Sequence, residues 1–170
     1  DLLKEAIARV EKIIEDKNPA LEKKEEEAQK IGIGAIIFNN LCTNIIKDQV
    51  FDWDTVLNFN GETGPYIQYV YVRTNSVLEK AGFIPKIEDV DFSQLTDKES
   101  LKVISYLYEF QDTLKSVVDK NEPSLLARYL LHLSQSYSNF YSENKIISED
   151  KNLTNARLYQ KCRNCAKNWM

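Results

Sequence analysis

The chain's 170 residues and 19.7 kDa suffice to bury a core without a metal or disulfide framework. Hydrophobic residues make up 43% and charged residues 28%, and no apolar run nears the roughly 18 residues that span a bilayer. The net charge of −4 gives the surface as a whole no pull on nucleic acid, so the composition describes a soluble globular chain with no generally basic face.

The chain opens on "DLLKEAIARVEKIIEDKN", with no initiator Met, no apolar signal core and no Arg/Ser-rich transit pattern, which fits a fragment of a longer protein. Cys42, Cys162 and Cys165 are an odd count without a secretory signal, which points to a reducing compartment and a cytoplasmic location. Charge is unevenly spread. "EKKEEEAQK" leans acidic, whereas the charged residues from Lys151 onward, including Arg157, Lys161 and Arg163, are all basic. A basic C-terminal helix can track phosphates, or its charges can simply solvate one face.

Five glycines, four prolines and little strand-like alternation predict an all-α fold. The first helix is expected over 2–16, with Leu3, Ile7, Val10 and Ile14 on one stripe and "KNP" as the stop. A charged helix or linker follows to about residue 30. The apolar "IGIGAIIFNNLCTNII" comes next, its Gly32 and Gly34 permitting close helix packing. "DQVFDWDTVLNFNGE" has the β-branched and aromatic content of a short strand, the one place where sheet is expected.

Thr63 or Gly64 can cap the next helix, with Pro65 at its first position and Gly82 as its stop. Ile67, Val70, Tyr71, Thr74, Val77, Leu78 and Ala81 share a face, and Tyr66, Tyr69 and Arg73 run along one edge of it. "FIPKIEDVDFSQLTDKES" is a long connector and a candidate binding loop. Thr96 with Glu99 reads as a capping box for a helix carrying Val103, Leu107, Phe110, Leu114 and Val117 on one face. A further helix starts near Pro123, with Leu126, Tyr129, Leu130, Leu133, Tyr137, Phe140 and Tyr141 as its stripe, and "NLTNARLYQKCRNCAKNW" supplies a last one. Such lengths suit an antiparallel-type bundle.

No catalytic or metal site can be assembled. "GETGP" lacks the spacing of either glycine-rich phosphate loop, so helix capping explains it better. His132 is the sole histidine and reads as an ordinary helix residue. "CRNC" has neither a second pair nor a near third ligand for tetrahedral zinc. Aromatics interleaved with basic residues can stack on unpaired RNA bases, yet a helical aromatic stripe is equally a core.

"GIGAIIFNNL", "FDWDTVLNFNGETGPYIQYVYVRTNSVLEKAG", "EPSLLARYLLHLSQSYSNFY" and "NARLYQKCRNCAKN" resemble, in order and spacing, the C-terminal part of arginyl-tRNA synthetases, class I aminoacyl-tRNA ligases. The resemblance covers essentially the whole chain. Its most specific pattern, G-x-T-G/A-P-Y-x-Q-Y followed by Arg, is met by Gly61, Thr63, Gly64, Pro65, Tyr66, Gln68, Tyr69 and Arg73. The family's DALR motif corresponds here to Asn155, Ala156, Arg157 and Leu158, a partial match that keeps an Arg and a Leu.

The resemblance implies a helical bundle of the class I synthetase anticodon-binding type, with a small mixed stem-contact segment at the N-terminal end. Residues 1–60 would follow the catalytic domain, and 61–170 would form the DALR-type anticodon-binding domain without the family's C-terminal tail. The family joins arginine to its tRNA at the expense of ATP, but neither its HIGH-type nor its KMSKS-type motif occurs here. A catalytically silent piece is therefore expected, with no cofactor of its own and ATP used only by the parent enzyme. The implied partner is arginine-accepting tRNA, bound by a monomer with no DNA or membrane role. The implied contacts are Tyr66, Gln68, Tyr69, Arg73, Tyr141, Asn144, Arg157, Lys161 and Arg163. The rival reading is a helical protein-interaction module without RNA.

Overall fold

The structure, a computed structural model, describes residues 1–164, with side chains as far as Gln160. Seven α-helices account for most of it: α1 (Leu2–Lys17), α2 (Lys24–Cys42), α3 (Trp53–Val56), α4 (Gly64–Ala81), α5 (Lys98–Lys120), α6 (Ser124–Glu143) and α7 (Lys151–Asn164). The all-α expectation is met. Two compact units divide the chain, one holding Asp1–Tyr69 with Ser116–Leu131, the other Val70–Lys115 with the residues from His132 onward.

In the first unit α1 begins where the Asp1 carboxylate accepts the Leu3 N–H at 3.2 Å. Its Ala6, Val10 and Ile14 pack into one cluster with Ala28, Ala35 and Ile36 of α2. Gly32 makes the approach possible. A Cβ there would lie 3.0 Å from backbone atoms of Ala6 and Ile7, tighter than nearly all packed Cβ contacts. The charged run and the apolar run after it form one continuous helix. Glu25, Glu26 and Glu27 sit in the first turn of α2, where the helix dipole favours carboxylates, and Lys30 pairs with Glu26 and Glu27 at 2.9 Å each.

The strand expected within 48–62 is absent, and no strand occurs among the described residues. Asp52 decides the outcome locally. Its carboxylate accepts the Thr55 N–H at 2.8 Å and the Thr55 hydroxyl at 2.6 Å, closing the single turn of α3. Val50 is 94% exposed, and an extended segment with no strand beside it forms no ladder and leaves its backbone groups to solvent. Val56 and Leu57 join the α1–α2 cluster instead, so the mixed N-terminal segment is entirely helical and irregular.

In the second unit α4 contributes buried Val70, Thr74 and Val77, while Tyr71, expected on the same face, is 40% exposed. Gly82, at φ +72°, ends the helix as a left-handed stop. The connector carries two 3-10 turns, Ile87–Asp89 and Phe92–Gln94. Helix α5 is shallow, with Ser100 and Val103 its buried residues. The cap differs from the expected Thr96–Glu99 box: Asp97 accepts the Ser100 N–H and the Ser100 hydroxyl, each at 2.8 Å.

Helix α6 is buried on two sides rather than along one stripe. Ala127, Leu131 and Ser134 line one side, Tyr129, Leu133, Tyr137 and Phe140 the opposite one, and exposed His132 lies between them. Helix α7 starts on Asp150, which accepts the Asn152 N–H at 2.8 Å, and it buries Ala156 and Leu158 completely.

Candidate nucleic-acid interface

The "GETGP" loop is filled by protein. The Thr63 hydroxyl donates to the Asn58 carbonyl and accepts the Tyr66 N–H at 3.2 Å, which makes Thr63 the N-cap of α4. Pro65 then takes the second helical position, one of the first four whose N–H groups have no intrahelical acceptor. A Cβ on Gly64 would lie 2.9 Å from the Phe38 Cβ and 3.0 Å from the Gly34 carbonyl oxygen, so glycine lets the first turn of α4 rest against α2. Thr63, Gly64 and Pro65 are all buried, so this end of the loop presents no open backbone to a phosphate.

Tyr66, Tyr69 and Arg73 follow at helical spacing on one edge of α4. Tyr69 is 44% exposed, and Tyr66 and Arg73 are half-buried. Gln68 belongs elsewhere. Its amide nitrogen donates to the Lys30 carbonyl at 3.2 Å, and it lies against Gly34, where an added Cβ would come within 2.8 Å of it. The side chain is engaged in packing α4 on α2.

The Arg73 guanidinium lies 5.0 Å from the centroid of the Tyr141 ring, a cation–π contact near the C-terminal end of α6. Asn144 follows, at the turn where α6 ends. Its amide oxygen accepts from Arg157 at 2.6 Å, and its amide nitrogen donates to Asp97 at 3.2 Å. A second guanidinium nitrogen of Arg157 donates to the Lys145 carbonyl at 2.9 Å, and Asp97 stands 3.6 Å from the guanidinium. Burial pushes the Asp97 carboxyl up, but the Ser100 N–H, the Ser100 hydroxyl and the Arg157 charge outweigh it and hold the group below its ordinary value.

The sequence did not single out Asp97, although its signal was available: D-x-x-S is a capping pattern one residue out of step with the T-x-x-E that was favoured. Lys161 and Arg163 lie outside the residues whose side chains are described. Among the described residues no three of His, Cys, Asp and Glu gather as metal ligands, and no helix is long and apolar enough to cross a membrane.

A separate groove of about 360 Å³ lies in the first unit between Arg9, Lys12, Asp16, Trp53 and Asp54. Arg9 covers the Trp53 ring at 4.8 Å. Its two cations and two carboxylates leave it without net charge.

Residues 67–164, from the exposed edge of α4 to the end of α7, match the family profile described as the DALR anticodon binding domain. The chain belongs to that family. Residues 1–53 match a second profile, described as the catalytic domain of class I (R) tRNA synthetases. The arginine–tRNA ligase of Halothermothrix orenii is 45% identical over 159 residues, and that of Clostridium botulinum strain Alaska E43 is 42% identical over 156. These alignments take in 94% and 92% of this chain but 28% and 27% of the two ligases.

The structure of Thermus thermophilus arginyl-tRNA synthetase superposes with a TM-score of 0.86 at 32% identity, over 95% of this chain and 28% of that one. The Plasmodium falciparum enzyme, at 22% identity and a TM-score of 0.82, shares the fold. Within the DALR domain the tetrapeptide of α7 is largely internal. Ala156 and Leu158 are core, the Asn155 amide donates to the Asp89 carbonyl at 3.2 Å, and Arg157 spans to the end of α6.

Proposed function

We propose that this chain is the anticodon-binding region of an arginine–tRNA ligase, the enzyme that attaches arginine to its tRNA using ATP, and that it binds arginine-accepting tRNA as a monomer in the cytoplasm. Residues 61–170 form the anticodon-binding part, and 1–60, of which 1–53 match the catalytic-domain profile, form the segment leading to it. The observation that carries the reading is the DALR-domain match over residues 67–164, and exposed Tyr69 with the half-buried Arg73–Tyr141 pair supports it.

Recognition follows from their chemistry. Planar rings stack on unpaired bases, guanidinium groups meet phosphates, and the two together suit a single-stranded loop better than a duplex. Tyr66, Tyr69, Arg73 and Tyr141 are assigned to that contact, with Lys161 and Arg163 as phosphate ligands. Gln68 shapes the helix that presents the tyrosines. The glycine loop is closed off by Phe38 and Gly34, and the 170 residues hold no HIGH-type or KMSKS-type motif, so no ATP step is derived from this chain.

Titration of labelled arginine-accepting tRNA and of an unrelated tRNA, at several salt concentrations, tests the proposal. The cognate tRNA should bind tighter, and both affinities should fall as salt rises, by a log–log slope of about 0.7 to 0.9 per phosphate contacted. No binding at low salt, or binding indifferent to salt, would leave the protein-interaction module as the better account. ATP–pyrophosphate exchange by the 170-residue chain should be blank.

A further inference from the structure

Arg157 carries the charge expected of a phosphate ligand, yet its side chain is 12% exposed and its donors are directed inward. Two guanidinium nitrogens hold two consecutive residues, one at the Asn144 amide oxygen, 2.6 Å, the other at the Lys145 carbonyl, 2.9 Å. Asp97 takes the opposite end of the same Asn144 amide at 3.2 Å. The amide is therefore gripped at both ends, by the N-cap of α5 and by the middle of α7. Asn144 itself closes α6 through its N–H to the Phe140 carbonyl at 3.0 Å, and Tyr141 stands one turn earlier, beneath the Arg73 guanidinium.

We infer that Arg157 is a positioning residue, not a phosphate ligand: with Asp97 it clamps the Asn144–Lys145 turn and so sets the ring of Tyr141 against Arg73. The inference rests on the tRNA reading only for what the Tyr141 ring is positioned to meet, an unpaired base of the anticodon loop. Three points support it. A planar fork with donors in fixed directions matches an amide oxygen and a carbonyl that a single ammonium cannot reach together. A cation at the C-terminal end of α6 also complements the carbonyls left unpaired there. The Asp97 carboxylate, already fixed as the N-cap of α5, gives the clamp a rigid base.

The test compares Arg157→Lys, Asn144→Ala and Asp97→Asn in the 170-residue chain, with far-UV circular dichroism to confirm folding. The first readout needs no RNA. The Arg73 Nε–H resonance should be shifted upfield by the Tyr141 ring in the parent chain, and that shift should collapse in Arg157→Lys and in Asn144→Ala, the milder variant. The second readout is tRNA binding. Arg157→Lys should weaken it roughly tenfold, within the range of one lost base stack, with the salt slope unchanged because no phosphate contact is removed. An intact ring-current shift, or a slope lowered by about 0.7 to 0.9 in Arg157→Lys as for one lost phosphate contact, would overturn the inference. If the parent chain binds no tRNA, the functional reading falls, and the Arg73 resonance still decides whether the clamp positions Tyr141.

Discussion

Arg73 and Tyr141 meet with the guanidinium 5.0 Å from the ring centroid, although 68 positions separate them in the chain. Each restrains the other. The cation holds the ring at one angle, and the ring keeps the cation from ranging over the surface, at a gain of about 0.5 to 1 kcal/mol for a partly exposed pair. Replacing Tyr141 by Ala should lower affinity for arginine-accepting tRNA by about 1 to 3 kcal/mol, or roughly 5- to 150-fold, if the ring stacks on a base. Tyr141→Phe should retain most of the binding. Fluorescence anisotropy with a labelled anticodon stem-loop measures both, and equal losses would mean that the hydroxyl rather than the ring face makes the contact.

Asp97→Ala removes a helix cap, the anchor of Asn144 and the partner of Arg157 together. Loss of the cap alone costs about 0.5 to 2 kcal/mol. Urea denaturation at neutral pH should show the variant less stable by at least that much.

The pH dependence of the same difference has a definite sign. The folded-state carboxyl of Asp97 is held below its ordinary value of 3.8, so the folded chain binds the proton less readily than the unfolded chain does. The charge-dependent part of its contribution is thus fully present above about pH 4 to 5 and is lost as the pH falls through the lower folded-state value. The stability gap between the parent chain and Asp97→Ala should be flat across neutral pH and narrow only in acid. A gap that narrowed between pH 6 and 8 would contradict the assignment.

Gly32→Ala adds a methyl 3.0 Å from backbone atoms of Ala6 and Ile7, which cannot swing aside as a side chain could. Overpacking of this kind costs about 1 to 3 kcal/mol. The midpoint of urea unfolding should fall accordingly. Gly82→Ala is a different case: its Cβ would meet nothing within 4 Å, and the loss should come from the left-handed backbone alone.

Burial pushes the Cys42 thiol up to about 11. At pH 8 its thiolate fraction should be about 100-fold below that of an ordinary cysteine, and the thiolate is the species that alkylates. Peptide-level mass spectrometry after brief iodoacetamide treatment should find Cys42 largely unmodified in the folded chain and fully modified in urea. Rapid native labelling would show that the segment around it opens.

Much of the architecture was legible because helices are local objects. The three-to-four-residue recurrence in α1 and α4 and Gly82 as a stop all act over a few residues, and these two helices fall within a residue or two of their expected bounds. The misreadings share a cause. At 48–62 the side chains favoured a strand, but a strand exists only beside another, and Asp52 with Thr55 closed a helical turn instead. At α5, Thr96 and Asp97 were competing caps one residue apart. The Asn144 amide and the Arg157 guanidinium, both brought in by other elements, favour the aspartate.

The candidate interface divides along the same line. That Tyr66, Tyr69 and Arg73 share an edge follows from helical spacing and needed only the sequence. The turn of Gln68 toward the Lys30 carbonyl, the stacking of Arg73 on Tyr141, and the burial of Arg157 between Asn144, Lys145 and Asp97 are contacts between residues 12 to 68 positions apart. Residue type and spacing determine which faces a helix offers. Only the packing of one helix against another decides which of those side chains remain at the surface and which become part of the frame.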